Sequence, residues 1–574
     1  MRPDVWAPHA KAVELVFGDG DADIARMPLE RGEEGWFVGG PALDHGTRYG
    51  FRLDGGEPLP DPRSRWQPDG VHGLSAVDDP TLHEWGDDPW DGLELLGGVI
   101  YELHVGTFTA EGTFDAAIER LDHVAELGVA AVELMPVAEA MGERGWGYDG
   151  VDLWAPHHAY GGPAGLRRFV DATHRRGLGV LLDVVYNHLG PEGSYLERFG
   201  PYFTDRHHTP WGRAVNLDGP GSTEVRRFIV DNAAHWCVDH HIDGLRVDAA
   251  HHLIDDRPIH IVGELTSTLA ELGAATGRRR WVVVEREQPN PLPLLDPANG
   301  GWGADARWGD DLHHALHAHL TGETHGYYAA FGGLAQIRTA LTSGQVLGDP
   351  LPQALAPTQL VTCTQNHDQV GNRVEGERLS HLVGAAPAMA AATLVLLGPG
   401  TPLLFQGEEW ASSSPFPFFC DTDDQDLAAR IRAGRRTEFE AFEWDSGGAD
   451  PLDPAVVARA TLHWSELAEH DHLAVHKWYR TLIALRAEHP ELARGERPEV
   501  KVDNEAGTVV MRRGTVTIIV HLADGEASVP SHAGAEIVAR HGAVDAGDGA
   551  LVLGPYAVAV TRRGGERLVE PRDG

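Results

Sequence analysis

Hydrophobic positions fall into three rhythms along the chain. Up to residue 95, short apolar runs such as Val13 to Phe17, Trp36 to Val38 and Tyr49 to Leu53 are separated by breaker-rich segments such as Gly18-Asp19-Gly20-Asp21. Short strands at this spacing predict a β-sandwich over 1–95. Within it, Pro58 to Pro68 is rich in proline and reads as an extended, linker-like segment.

From Val99 the rhythm changes to strand-length apolar runs alternating with helix-length amphipathic segments. The predicted strands are Val99 to Val105, Ala130 to Pro136, Gly179 to Val185, Gly244 to Asp248, Trp281 to Glu285, a weaker Ala304 to Trp308, Gln359 to Cys363 and Pro402 to Phe405. Between them, Phe114 to Leu127 brings Ile118, Leu121, Val124 and Leu127 near one face, and Gly128 stops it. Gly165 to Arg176 and Thr223 to His240 behave similarly, and His476 to Ala487 reads as a closing helix with Trp478, Leu482 and Leu485 on its apolar stripe. Repeated strand–helix units predict an α/β fold, a (β/α)8 TIM barrel over 96–495 with long insertions at Leu189 to Gly221 and Glu408 to His470. A doubly wound open sheet has the same rhythm, and periodicity does not separate the two. Long loops inside a compact domain are usually functional.

The tail, 496–574, returns to short strands at Thr508 to Met511, Val516 to His521 and Ala550 to Thr561, predicting a small C-terminal β-sandwich. The most apolar stretch, Gly384 to Phe405, is cut by Pro387, Pro399, Gly400 and Pro402. It reads as a buried helix, a turn and a strand rather than a membrane span.

Composition narrows the partners. With 86 acidic against 47 basic side chains, the net charge is -39, a field that repels nucleic acid and anionic membranes and leaves neutral sugars indifferent. Cys237, Cys363 and Cys420 show no paired spacing, which points to a reducing compartment. The start, Met1-Arg2-Pro3-Asp4-Val5-Trp6, lacks the apolar core of a signal peptide, so a cytoplasmic location is expected.

In a barrel, chemistry sits just past the C-terminal ends of the strands. Here those ends are unusually acidic: Asp183 to His188 ends in Asn-His, Asp243 to Asp248 in an aspartate, Val282 to Glu285 in a glutamate, and Thr364 to Asp368 in His-Asp. Each alone is as well explained by a helix cap, a turn or a structural hydrogen bond. Together they suit glycoside hydrolysis, which needs one carboxyl to protonate the leaving oxygen and a second to attack or to activate water. Arg246, two residues before Asp248, shares its strand face and can hold Asp248 ionised. His188 and His367 can donate to sugar hydroxyls.

These four segments, with Gly400 to Glu409 as a last barrel strand, resemble the signature regions of the α-amylase superfamily, glycoside hydrolase family 13. The resemblance spans nearly the whole chain. It implies an Ig-like N-terminal sandwich of carbohydrate-binding-module type, with Asp248 as nucleophile, Glu285 as general acid and Asp368 as stabiliser of the transition state. It also implies that Tyr148, Asp183, His188, Arg246 and His367 support the reacting sugar.

Narrower segments resemble the branch of that family that releases trehalose. They include Tyr195 to Asp205 with Thr209-Pro210-Trp211-Gly212, Trp308 to His314, Gln365 to Arg373, Gly407 to Trp410, and Gly434 to Phe439. On that resemblance Asp310, Asp311, His313, His314, His251 and Gln369 line the substrate site, although Asp310 or Asp311 also fits a helix cap. The implied substrate is malto-oligosyltrehalose or a related α-glucan, and the implied functional partner is a malto-oligosyltrehalose synthase. Trp146, Tyr148, Trp211 and Trp410 are candidate sugar-stacking aromatics, each equally readable as core.

The sequence departs from the family at Arg286-Glu287, directly after Glu285, where Glu287 is an alternative acid, and in an unusual stretch from Asp256 to Leu269. No cofactor and no required metal are expected. Some amylases hold calcium through the asparagine matching Asn187, but the other ligands have no counterpart here. Two rival readings stand beside the hydrolase: a branching or debranching enzyme of the same superfamily, and a non-catalytic α-glucan-binding protein.

Overall fold

The computed structural model describes residues 1–18, 25–286, 290–442, 444, 448–531, 534–547 and 549–563. At its centre eight parallel strands close into a barrel: β1 Ile100–Leu103, β2 Ala131–Leu134, β3 Gly179–Val184, β4 Gly244–Val247, β5 Trp281–Val284, β6 Ala306–Trp308, β7 Leu360–Cys363 and β8 Thr401–Phe405. They follow one another in chain order, and β8 pairs with β1 through Leu404 and Tyr101. That pairing decides for the barrel over the open sheet.

The strand pleat explains how the barrel holds both a core and a charged mouth. Alternate residues face the lumen. Ile100, Ala131, Leu181, Val283, Val361 and Leu403 belong to one buried apolar cluster inside it. Two residues further along β1, β2, β3 and β5, the same faces carry Glu102, Glu133, Asp183 and Glu285. The lumen is therefore greasy at its floor and ionisable at the C-terminal ends of its strands. This is the end where loops build active sites in this fold.

Helices cover the outside, including Gly162–His174, Ser222–Asp239, Ile261–Thr276, Asp311–Thr321 and His470–Glu488. The expected helix over 114–127 is divided into Phe114–Ile118 and Leu121–Leu127. The break falls at Arg120, whose guanidinium lies 4.9 Å from the Trp464 ring centroid, and it lets Phe114 and Leu121 both reach the core. Gly128 ends the second piece at φ 85, as the sequence predicts. Gly384 to Phe405 forms the buried helix Ala385–Leu396, a turn and β8. Among the described residues no helix is long and apolar enough to cross a membrane.

The first 95 residues form a three-stranded and a five-stranded sheet. The proline-rich segment is not a linker. Pro58–Leu59 pairs with the strand Arg48–Leu53, Asp61 accepts a 2.7 Å hydrogen bond from the Tyr49 hydroxyl, and Arg63 reaches Asp231 of the helix Ser222–Asp239 at 2.8 Å. Proline favours extended backbone, and here that backbone is fixed by partners in the sheet and the neighbouring helix rather than left free. The C-terminal region forms a five-stranded and a three-stranded sheet. The run Ala550 to Thr561 divides between them as Ala550–Leu553 and Val558–Arg563. All three cysteines are buried and unpaired.

Candidate active site

One guanidinium organises the mouth of the barrel. Arg246, on β4, is fully buried, and its flat face lies 4.0 Å from the Trp308 ring centroid. Its Nη1 donates to Asp183 Oδ2 at 2.7 Å and to Asp248 Oδ1 at 2.8 Å. Its Nη2 lies 2.8 Å from Glu285 Oε2, an ion-pair contact rather than an aligned hydrogen bond. Strand register sets the first contact, because Asp183 and Arg246 are direct neighbours across β3 and β4. The second follows from the pleat, since residues two apart share a face.

Asp248 is held on its other side by Asn187, whose Nδ2 donates to Asp248 Oδ2 at 2.7 Å and to its carbonyl at 2.9 Å. The chain then turns sharply. Ala249 sits at φ 36 and ψ 49, a left-handed conformation that costs an alanine roughly 1 kcal/mol. The turn aims the Ala249 N–H at Glu285 Oε2, 2.8 Å away. Strained backbone between two carboxylates thus fixes one relative to the other.

The environments push the acids apart. Burial, reinforced by Asp248 and Asp368, lifts the Glu285 carboxyl well above its ordinary range despite the opposing pull of Arg246. Burial would also raise Asp368, but His367 and Arg246 outweigh it and hold that carboxyl below its ordinary range. Burial lifts Asp183 to about 6. A site with one carboxyl raised well above its ordinary range beside one held below it can supply a proton and negative charge at the same time.

His367 and Tyr148 complete the cluster. The Tyr148 hydroxyl donates to Asp183 Oδ2 at 2.6 Å and lies 2.7 Å from His367 Nε2, with the two rings stacked at 5.2 Å. Asp368 Oδ1 is 3.4 Å from the same nitrogen. His188 packs at the rim, bonded to the Tyr148 carbonyl and stacked 4.4 Å from Trp211, which stands half exposed. His251 lies just past Ala249, with its ring 4.1 Å from that of His252.

The remaining sequence-derived positions divide. Asp310 is half-buried, and repulsion from Asp368 helps burial raise it to about 6, so it belongs with the acids. It makes no side-chain cap on the helix Asp311–Thr321. Asp311 instead accepts the N–H groups of Val346 and Leu347. His313 is buried between the Thr364 carbonyl and the Tyr328 hydroxyl. His314 is enclosed by Tyr327, Tyr328 and Phe331, and burial lowers it to about 4. Gln369 caps the short helix His367–Gly371 by accepting the Asn366 N–H at 2.9 Å. Of the four candidate aromatics, Trp146 and Trp410 are core residues, bonded through their indole N–H to Pro417 and Glu466.

Arg286 packs over Trp302, 5.4 Å from its ring centroid, and Glu287 lies outside the described residues. The stretch from Asp256 becomes a turn and the first half of the helix Ile261–Thr276. Asn187 holds Asp248 through its amide nitrogen, and its oxygen faces His188 Nδ1. Sequence reasoning missed Glu102 and Glu133. Both are charged residues inside apolar strands, and their lumen-facing parity was the available signal.

A closed parallel barrel with these carboxylates around one buried arginine defines a glycoside hydrolase of the α-amylase type. Residues 67–209 match the family described as alpha amylase, catalytic domain, and residues 1–67 match carbohydrate-binding module 48 (isoamylase N-terminal domain). A malto-oligosyltrehalose trehalohydrolase of Arthrobacter ramosus is 46% identical, over 98% of this chain and 99% of that protein. One from Rhizobium sp. (strain M-11) is 43% identical, over 98% and 97%. A crystal structure of a putative alpha amylase from Salmonella typhimurium superposes with a TM-score of 0.87 at 35% identity, covering 98% of this chain and 97% of that one. The chain belongs to the malto-oligosyltrehalose trehalohydrolase family, and it is a glycoside hydrolase.

Proposed function

We propose that the protein cleaves, with retention, the α-1,4-glucosidic bond next to the terminal trehalose of malto-oligosyltrehalose. The products are trehalose and a shortened malto-oligosaccharide. The observation that carries this reading is the pairing of Asp248 and Glu285 against one guanidinium, in a chain of this family.

Glu285, kept protonated by burial, donates its proton to the glycosidic oxygen as the C1–O bond breaks, and trehalose leaves. Asp248, oriented by Arg246 and Asn187, attacks C1 and forms a covalent β-glycosyl ester. Asp368 stabilises the positive charge that develops on the ring. Glu285, now a carboxylate, takes a proton from water, whose oxygen attacks C1 and frees Asp248. Tyr148 and His367 form the floor beneath the sugar, and Trp211 offers an apolar face at the rim.

The substrate is made by a malto-oligosyltrehalose synthase in the same compartment. Three unpaired cysteines are in keeping with a cytoplasmic location.

The test compares maltopentaosyl-trehalose with maltoheptaose by product chromatography. Fast release of trehalose from the first, with slow cleavage of the second, is expected. Equal cleavage of both, or a new branch linkage, would move the chain to an amylase-like or branching role.

A further inference from the structure

Two glutamates in the barrel lumen stand behind the reacting acids and are not used by the mechanism above. Glu102 on β1 and Glu133 on β2 are direct neighbours across the strand pair, and each is 1% exposed. Their surroundings differ. Glu102 accepts the His367 backbone N–H at 3.1 Å and faces His367 Nδ1 at 2.5 Å. Among the described residues neither carboxyl oxygen of Glu133 has a hydrogen-bond partner.

The other edge of the His367 ring faces acceptors as well. Tyr148 gives its hydroxyl proton to Asp183, so its oxygen is free to accept from Nε2, and Asp368 Oδ1 lies beside the same nitrogen. Nδ1 meets a carboxylate and Nε2 meets an oxygen that has already donated. A ring with hydrogen on both nitrogens satisfies all of these contacts at once.

We propose that Glu102 is a positioning residue for the reacting centre: it holds the His367 ring doubly protonated, while Glu133 beside it stays uncharged. The cationic ring then fixes Tyr148 through its oxygen and keeps Asp368 ionised. A second buried anion next to Glu102, with no donor of its own, would face a desolvation cost of several kcal/mol. Burial and the nearby Glu102 and Asp183 push the Glu133 carboxyl well above its ordinary range, against Arg246 and His367. Burial works against a charged His367, but Asp368 and Glu102 outweigh it and raise the ring well above the usual histidine range. The functional consequence rests on the proposed reading of Asp368 and Tyr148, whereas the protonation states do not.

The experiment reads His367 directly, by ¹⁵N-histidine NMR of the full chain without substrate, with its signals assigned by their loss in His367→Asn. In the unmodified protein the ring is expected to stay doubly protonated between about pH 6 and 9, a range across which a free histidine loses its charge. Glu102→Gln should make it titrate inside that window, Glu102→Asp should restore the doubly protonated state, and Glu133→Gln should leave it as in the unmodified protein. A neutral His367 at neutral pH, or a ring still protonated in Glu102→Gln, would overturn the role of Glu102. Titration in Glu133→Gln like that of Glu102→Gln would mean that Glu133 is charged. On whichever α-glucan the unmodified protein hydrolyses, Glu102→Gln should lower kcat by about 10- to 100-fold with KM little changed. Equal cleavage of maltopentaosyl-trehalose and maltoheptaose by the unmodified protein would sink the proposed function and leave the ring measurement standing.

Discussion

Arg246 and Asp248, two residues apart on one strand face, are joined by a 2.8 Å hydrogen bond, and the same guanidinium also touches Asp183 and Glu285. A planar, always-charged fork can reach three carboxylates from a fixed position, whereas an ammonium is a single point on a flexible stem.

Arg246→Lys should therefore lose most activity while keeping the charge. A fall in kcat/KM of roughly 10²- to 10³-fold is expected, in the range lost when a preorganised electrostatic partner is removed. Steady-state kinetics with a melting curve on the same preparation checks it. Activity within about twofold would mean that charge alone, not the fork, is what the acids need.

Glu285→Gln removes the proton and keeps the shape. Hydrolysis should fall by about 10²- to 10⁴-fold, the usual contribution of a general acid, while calorimetry still detects α-glucan binding. An unchanged rate would hand the acid role to Glu287. A protein that binds glucan but shows no hydrolysis before mutation would restore the reading as a binding protein.

The rate should follow a pH profile with an unusually high alkaline limb. In the proposed mechanism Glu285 must be protonated to act, and its carboxyl is raised by burial, so activity should persist above the ordinary glutamic acid value of about 4.3 and be lost as pH rises through the raised one. Asp368 must be ionised, and its carboxyl is held low, so its contribution is lost only in stronger acid than an ordinary aspartate would require. A kcat/KM profile declining steadily from pH about 5 upward would contradict the environment assigned to Glu285.

How far the sequence carries can be argued residue by residue. The eight strands were legible because lumen-facing and helix-facing positions are both apolar, giving continuous runs that water-facing strands lack. The candidate acids were legible because each interrupts such a run at its end. Glu102 and Glu133 interrupt runs in the middle, where a charge looks like an irregularity until register places the two side by side. Trp146, Trp211 and Trp410 all sit in loops after strands, and only packing separates the exposed one from the two in the core. Prolines alone made 58–68 look like a linker, because the partners that fix it, Tyr49 and Asp231, are distant in sequence.

Trp211 offers a direct test of that separation. Its ring lies against His188 and is 53% exposed, at the rim of the acids. Trp211→Ala should raise KM by about 5- to 20-fold, matching a lost stacking contact of roughly 1–1.5 kcal/mol, with kcat within about threefold. A melting temperature lowered by many degrees would instead mark it as a structural residue.

Stability at low pH should depend on Glu323. Its carboxylate forms a forked pair with Arg373 at 2.8 and 2.9 Å and meets His317 at 2.8 Å, and Arg373 lies 4.7 Å from the Trp444 ring centroid. Burial opposes the ionised form, but His317 and Arg373 outweigh it and bring the carboxyl down to about 2. A depressed folded-state value means that the stabilisation is fully present above the unfolded value, about 4.3, and disappears as pH falls through about 2. Because the pair is partly open to water, Glu323→Gln should cost about 1–2 kcal/mol near neutral pH, below the cost for a fully buried pair. Denaturation of the two proteins at several pH values checks this. The gap between them should narrow from about pH 4 downward, and a gap that stays constant across that range would mean that Glu323 acts by packing rather than by charge.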